Sequence, residues 1–327
     1  ICLHQGGLPT VPAWNANKMP LASGLAAEVR RLRSDLAGQM EPCVQRVAGR
    51  YRRPVLPEAE MEKTVDGLVE RFEISSTNAA AIVTHCLHQM QVSQLPTAER
   101  FLIERYVEPP PVGEERAVDG PGRVQFFFHS LIGRAANDAL SRILAHRVKE
   151  AVGGNALVTI DDYGFLLTLR EFQDLGLEEW RELFSAEGAA EDLMAALKNS
   201  ELVKWNFRGV AQTGLMVPRN QPGRERQIRQ LRWSTEILFR VLSEHEPDHP
   251  LLEQARREAT HAFLDLPGAQ EFLRQAADLE WCFVEVPVVS PFAFGIYASK
   301  IREGMMLEDP EEAIERLWRQ FQAGTGD

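Results

Sequence analysis

The sequence predicts an α+β fold, mostly helical, with several short strands and hairpins forming a small mixed or antiparallel sheet, within a fragment of a multidomain protein. Three observations predict it. Long stretches, most plainly 21–37, 136–148 and 170–278, carry apolar residues at helical spacing. Between them lie short apolar or alternating runs such as FLIERYV, VQFFFH, ALVTI and FLLTL, bounded by Gly, Pro and Asp. At 327 residues and 44% hydrophobic the chain can bury a sizeable core, yet no apolar run reaches the roughly 18 residues that cross a bilayer.

Residues 1–20 read as strand and turn material punctuated by Gly6, Gly7, Pro9, Pro12 and Pro20. The chain begins with Ile, and LHQGGLPTVPAW reads as the middle of a folded region, so this opening is expected to continue from a missing N-terminal part. A helical region, 21–95, follows. Leu25, Val29, Leu32 and Leu36 mark its first helix, Pro57 and the acids after it open a second, and Ser75, Ser76 and Thr77 cap a third through about Met90. An α/β region, 96–290, comes next. It holds a strand at 101–107, the loop PPPVGEERAVDGPG, a strand at 124–129, a helix marked by Ala136, Leu140, Ile143, Leu144 and Val148, and a hairpin over 156–169 turning at Asp161-Asp162-Tyr163-Gly164. Helices then run to 278 with breaks at Gly188, Gly214, PRNQPGR, Pro247, Pro250 and Pro267, with Asp248 expected to cap the helix that follows it. WCFVEVPVV, 281–289, returns to strand. The last stretch, 291–327, is a helical tail with a final helix over about 310–321.

Several chemistries are excluded or weakened by spacing. No lysine follows a glycine and no Asp-Glu dipeptide occurs, so a P-loop and a DExD or DExH metal motif are both missing, and this stretch has no ATPase engine of its own. No GxSxG elbow appears. His85, Cys86 and His88 make a tempting pair of soft ligands, but zinc requires three or four converging groups, and HEPDHP at 245–250 reads as a helix-to-helix turn for the same reason. Asp161 and Asp162 are accounted for by turn chemistry, and no residue is assigned as catalytic or metal-binding. Cys2, Cys43, Cys86 and Cys282 have no CxxC spacing, which fits a reducing cytoplasm.

Net charge is −11, which argues against bulk affinity for nucleic acid, but the distribution is uneven. ELVKWNFRGVAQTGLMVPRNQPGRERQIRQLRW, 201–233, sets Lys204, Arg208, Arg219, Arg224, Arg226, Arg229 and Arg232 against Glu201 and Glu225, with Trp205, Phe207 and Trp233 interleaved. Cations attract phosphates and rings stack on bases, so the run suits single-stranded nucleic acid; a solvated helix face with core aromatics is the competing reading. A second basic run from Arg30 to Arg53 offers another wall for the same channel. In VQFFFHSLIGRAANDALSR, 124–142, a strand passes directly into a helix. Gly133 is expected to let that helix pack on the strand. Arg134, Asn137 and Ser141 share a polar helix face, with Arg134 near a helix N-terminus that favours phosphate and His129 structural.

Taken together, PTVPAWNANKMPLASGLAAEVRR, QLPTAERFLIERY, FFFHSLIGRAANDALSR, DDYGFLLTL, SELVKWNFRGVAQTGLMVPRN, PDHPLLEQARRE and SPFAF resemble, in order and over most of the chain, the large helicase-related (Lhr) group of superfamily 2 DNA helicases. Within that group the likeness is to the DEAD/H-associated region that follows the motor, here 96–290. The resemblance implies an accessory region that guides single-stranded DNA, or an RNA–DNA hybrid, during 3′-to-5′ translocation in DNA repair. Its partners would be two RecA-like ATPase lobes and a winged-helix domain of the same parent chain, and ATP and magnesium would belong to those missing lobes. Where many relatives carry an aromatic pair with a Trp, this sequence has Leu21 and Ala22; Trp14, a little upstream, is the candidate substitute. Two other classes stay open: a module without a motor that binds a protein or structured RNA, and a metal-dependent nuclease or hydrolase.

Overall fold

The computed structural model describes residues 21–46, 53–108, 123–170, 174–198, 200–217, 220–221, 224–225 and 228–304. Elements are numbered in chain order. The first helices are α1 (Ser23–Met40), α2 (Glu58–Phe72) and α3 (Ser76–Val92), with a two-stranded ribbon of β1 (Gln45–Arg46) and β2 (Pro54–Val55) between α1 and α2. The expected start signals operate. Ser75 Oγ accepts from the amide of Asn78 at the head of α3, and α2 carries Glu58 and Glu60 in its first turn and Arg71 in its last, matching the helix dipole. Leu36, Met40, Leu68, Val83, Cys86 and Leu95 form the core of this helical unit.

A five-stranded mixed sheet organises the rest. Its strands are β3 (Arg100–Val107), β4 (Arg123–Phe128), β5 (Leu157–Ile160), β6 (Phe165–Arg170) and β9 (Glu280–Glu285), in the order β5-β6-β4-β3-β9. Only the β3–β9 pair is parallel. Phe126–Phe128 is apolar without alternation because both faces of β4 are covered, and the buried Gln125 before it is satisfied by Thr168 and Glu108. Phe126 and Phe128 point into the larger core and Phe127 into a smaller one.

On the first face lie α4 (Arg134–Val152), α5 (Leu177–Leu183), α6 (Ala189–Leu197), α7 (Glu201–Thr213), α8 (Ile228–His245), α9 (Pro250–Glu258), which runs into a π-helical turn at Ala259–Phe263, and α10 (Leu266–Ala276). Trp180 of α5 is fully enclosed against Phe126 and Phe128, edge to face at about 5 Å. The second face is covered by α11 (Pro291–Gly304), whose Ala293, Ile296 and Tyr297 meet Phe127 and Leu166. Phe292 of the same helix packs into the α1–α3 core and so ties that unit to the sheet.

Some expectations need correction. The strand placed over 281–289 ends at Glu285, because Ser290 opens α11: its Oγ accepts from the amide of Ala293. His249, not Asp248, caps α9, its Nδ1 accepting from the amide of Leu251 at 3.2 Å. Gly133, with φ +88, is required by the chain entering α1: a Cβ there would lie 2.9 Å from the Leu21 carbonyl oxygen. The glycine that lets the 161–164 turn close onto β4 is Gly164, where a Cβ would meet the Phe128 carbonyl oxygen. PRNQPGR contains a short ribbon of β7 (Asn220–Gln221) and β8 (Arg224–Glu225). The loop over 109–122 and the helix expected over 310–321 lie outside the described residues.

Candidate nucleic-acid interface

α7 is amphipathic, and its sequence explains how. Ser200 caps it by accepting from the amide of Val203, and Val203, Phe207, Val210 and Ala211 recur at helical spacing to form its buried side. Lys204 and Arg208, one turn apart and half-buried, and the exposed Trp205 therefore lie off that buried side. Phe207, counted in the sequence as one of the interleaved stacking aromatics, is fully enclosed against Phe239 of α8, ring centroids 5.2 Å apart, and cannot meet a base. The aromatic that is presented is Trp205. It is 56% exposed and stands edge-on to Phe263 of the π-helical turn, centroids 5.2 Å apart at 86°.

Between α7 and α8 runs a cleft of about 140 Å³ lined by Glu201, Lys204, Arg208, Thr235, Glu236 and Phe239. Lys204 Nζ lies 2.7 Å from Glu201 Oε1, and that hydrogen bond raises the lysine pKa above its usual value, with Glu201 and Glu236 adding their charge. The ammonium is thus firmly protonated. Arg208 Nε is enclosed with no hydrogen-bond partner. Two carboxylates and two cations make the cleft itself nearly neutral, so the positive surplus of this region belongs to the hairpin and the start of α8.

Arg224 sits on β8, paired across the ribbon with Gln221, and Arg229 and Trp233 sit in the first two turns of α8. Only their backbone is described. Arg219, Arg226 and Trp14 lie outside the described residues. Lys204, Trp205 and Arg208 are brought together on one helix, with the Arg-bearing ribbon following in the connection to α8.

Arg134 stands apart, half-buried in the first turn of α4, between two neighbours of that turn. The Gly133 backbone abuts Leu21 and Ser23, and the Ala135 carbonyl accepts from the amide of Asp265 at 3.3 Å, two residues past Phe263. The polar face expected of Arg134, Asn137 and Ser141 is buried beyond Arg134. Asn137 is fully enclosed, taking a hydrogen bond from Ser130 Oγ and donating to the carbonyls of Asp161 and Asp162, and Ser141 donates to the Asp138 carbonyl. Asn137 thus holds the 161–164 turn against α4, while Ser141 bonds within its own helix.

Asp161 and Asp162 also serve the turn. Asp162 Oδ1 accepts from the amide of Leu21 at 2.9 Å and Asp161 Oδ1 from the amide of Asp162. Among the described residues no group of three His, Cys, Asp or Glu side chains is placed to hold a metal ion, and no helix is long and apolar enough to cross a membrane. Sequence reasoning missed Glu104, an enclosed carboxylate on β3 that accepts from Gln89 Nε2 (2.8 Å) and Ser290 Oγ (2.7 Å) and meets His129 Nε2 at 3.0 Å. Burial alone would push its pKa up; the facing His129 and the serine hydroxyls of Ser93 and Ser290 outweigh burial and hold it below the usual value.

The DEAD/H associated family matches residues 95–293. The chain is 32% identical over 325 residues to ATP-dependent helicase Lhr-Core protein 2 of Thermococcus barophilus, covering 99% of this chain and 34% of that relative. Over 313 residues it is 28% identical to ATP-dependent helicase Lhr-Core of Methanothermobacter thermautotrophicus, covering 95% and 33%. The chain therefore spans about a third of the length of these relatives. Its fold is similar to that in the structure of Mycobacterium smegmatis helicase Lhr bound to ssDNA and AMP-PNP, with a TM-score of 0.64 and 21% identity over 89% of this chain and 33% of that one.

Proposed function

The chain belongs to the DEAD/H associated family, and from that premise we propose that it guides single-stranded DNA, or one strand of an RNA–DNA hybrid, along an ATP-driven helicase. The observation that carries the reading is the exposed Trp205 edge-on to Phe263, with Lys204 and Arg208 on the same helix and an Arg-bearing ribbon immediately after it. The cations would hold phosphates while Trp205 stacks on a base. ATP and magnesium would act in RecA-like lobes beyond this chain, joined to it by a winged-helix domain, with 3′-to-5′ polarity and a role in DNA repair in the cytoplasm. Within the chain, 21–95 and 96–290 would be the helical and DEAD/H-associated units, flanked by 1–20 and 291–327.

The test is single-strand binding by the chain across a salt series. Changing Arg224, Arg226 and Arg229 together to Ala is expected to weaken binding and flatten the log–log salt slope by about 2, roughly 0.7 per lost phosphate contact. Trp205→Ala is expected to weaken binding without changing the slope. Unchanged affinity and slope in the triple variant would reduce the cluster to a solvated face. A protein-interaction module is the second reading, favoured by the exposed Leu215 and Met216 just beyond α7.

A further inference from the structure

On the α11 side of the sheet, four side chains from four elements form a ladder. Tyr163 of the 161–164 turn, Arg33 of α1, Phe292 of α11 and His85 of α3 succeed one another. The Arg33 guanidinium is 5.5 Å from the Tyr163 ring centre and 4.2 Å from that of Phe292, and Phe292 and His85 are 5.0 Å apart, tilted by 37°. The two ends are open: Tyr163 is 40% exposed and His85 is exposed. Between them Arg33 is half-buried as a residue, with its Nη1 fully covered.

Arg33 Nη1 is buried and has no hydrogen-bond partner. The groups that act on its charge are Cys86 and Tyr163, neither a carboxylate, and burial lowers its pKa to about 10. A further arginine and two histidines crowd the same side. Arg33 and His88 press on His85, Arg53 presses on His88, and burial together with these neighbours lowers the pKa of both histidines. Arg30, one turn before Arg33, faces Glu99, whose carboxylate also takes hydrogen bonds from Ser34 and Thr97. The acids of the turn, Asp161 and Asp162, are engaged with backbone amides. A guanidinium with a buried, unpaired nitrogen and no counter-charge among the described residues is costly, and an anion arriving from outside would relieve that cost.

We propose that this corner is a second contact for a nucleic-acid strand, in which a base stacks on Tyr163 over the Arg33 guanidinium and the adjoining phosphates lie along His85, His88 and Arg53. It lies across the sheet from α7 and α8, and Arg134 stands between the two: its turn touches Leu21, which binds the Tyr163 turn, and Asp265, which follows Phe263. A strand on Trp205 and Phe263 can thus pass over Arg134 to Tyr163 around the end of the sheet. Arg33 is a positioning residue, holding the Tyr163 ring and supplying charge beneath it.

The inference rests on the nucleic-acid reading above, and its test separates the two. In fluorescence anisotropy with a labelled oligo-thymidine strand, Tyr163→Ala is expected to weaken binding about fivefold or more with an unchanged salt slope, the low end for one base stacked on a ring. Tyr163→Phe should retain affinity. Arg53→Ala, at an exposed position, should flatten the slope by about 0.7. If Tyr163→Ala and Arg53→Ala bind as the unaltered chain does while the Arg224, Arg226 and Arg229 variant is impaired, the corner is not a contact and the inference is overturned with the earlier reading intact. If the reverse holds, the corner carries the strand and the α7–α8 reading falls. No binding by the unaltered chain at low salt overturns both.

Discussion

Glu104, fully enclosed, and Arg33, half-buried with a covered Nη1, are charges on the same side of one sheet, each reached by α3 and α11, yet their surroundings answer them in opposite ways. Glu104 has an amide, a hydroxyl and an imidazole aimed at its two oxygens, and Gln89, which supplies the amide, also accepts from the amide of Phe292. Arg33 has the rings of Phe292 and Tyr163 and an Nη1 with no acceptor. A buried group whose hydrogen bonds are complete is a fastener: it joins α3, β3, the end of β4 and the head of α11. One whose hydrogen bonds are incomplete has capacity left for something outside the chain.

The sharpest way to break this contrast is to remove one member of the complete network. His129→Ala leaves the Glu104 carboxylate enclosed without its facing imidazole and should cost about 3–5 kcal/mol in urea denaturation. A loss below about 1 kcal/mol would mean that Glu104 is not a fastener. Acid tests the same group without mutation. The folded-state pKa of Glu104 is lowered from 4.5, so its contribution is fully present above that value and is lost as pH falls through the folded pKa. The urea midpoint should therefore decline below about pH 4.5, and Glu104→Gln should make that decline shallower. As a calibration on the helix that carries both Gln89 and His85, Ser75→Ala should cost about 1 kcal/mol through the lost cap. The smallest effect is expected for Arg33→Met. It removes a charge that no carboxylate among the described residues balances while filling similar space, so stability should change by about zero or rise slightly. A loss as large as that of His129→Ala would place Arg33 beside Glu104 as a fastener.

Periodicity and punctuation made much of the fold legible. The Ser75 cap, the direct passage from β4 to α4 and the Asp161–Gly164 turn all follow from local chemistry, and the mixed sheet within a mostly helical chain is as expected. What stayed hidden depended on whether a second layer covers a surface. In FLIERYV the alternation sets Phe101 and Ile103 inward and makes Glu104 look like a solvent-facing residue; α11 covers that side, nearly two hundred residues later in the chain. Arg33 is likewise one more charge in an Arg-rich helix until Phe292 closes over it. Within the candidate interface, Lys204 and Arg208 were visible as part of a basic run, whereas Phe207 could not be separated from Trp205. One residue's offset places one ring in the core and the other outside, and only the packing of α8 shows which.

The parallel pairing of β3 with β9 sets a timetable as well as a shape. Register joins Arg100–Arg105 to Glu280–Glu285, and Ser290 reaches Glu104 at a sequence separation of 186. At a synthesis rate of about 5–20 residues per second, roughly 9–37 s elapse between the emergence of Glu104 and that of its last hydrogen-bond donor. During that interval the edge of β3 that will receive β9 is an unpaired backbone template beside an ionised side chain. A charge on such an edge disfavours pairing with a foreign strand, so Glu104 is expected to blunt the β3 edge until β9 and α11 arrive.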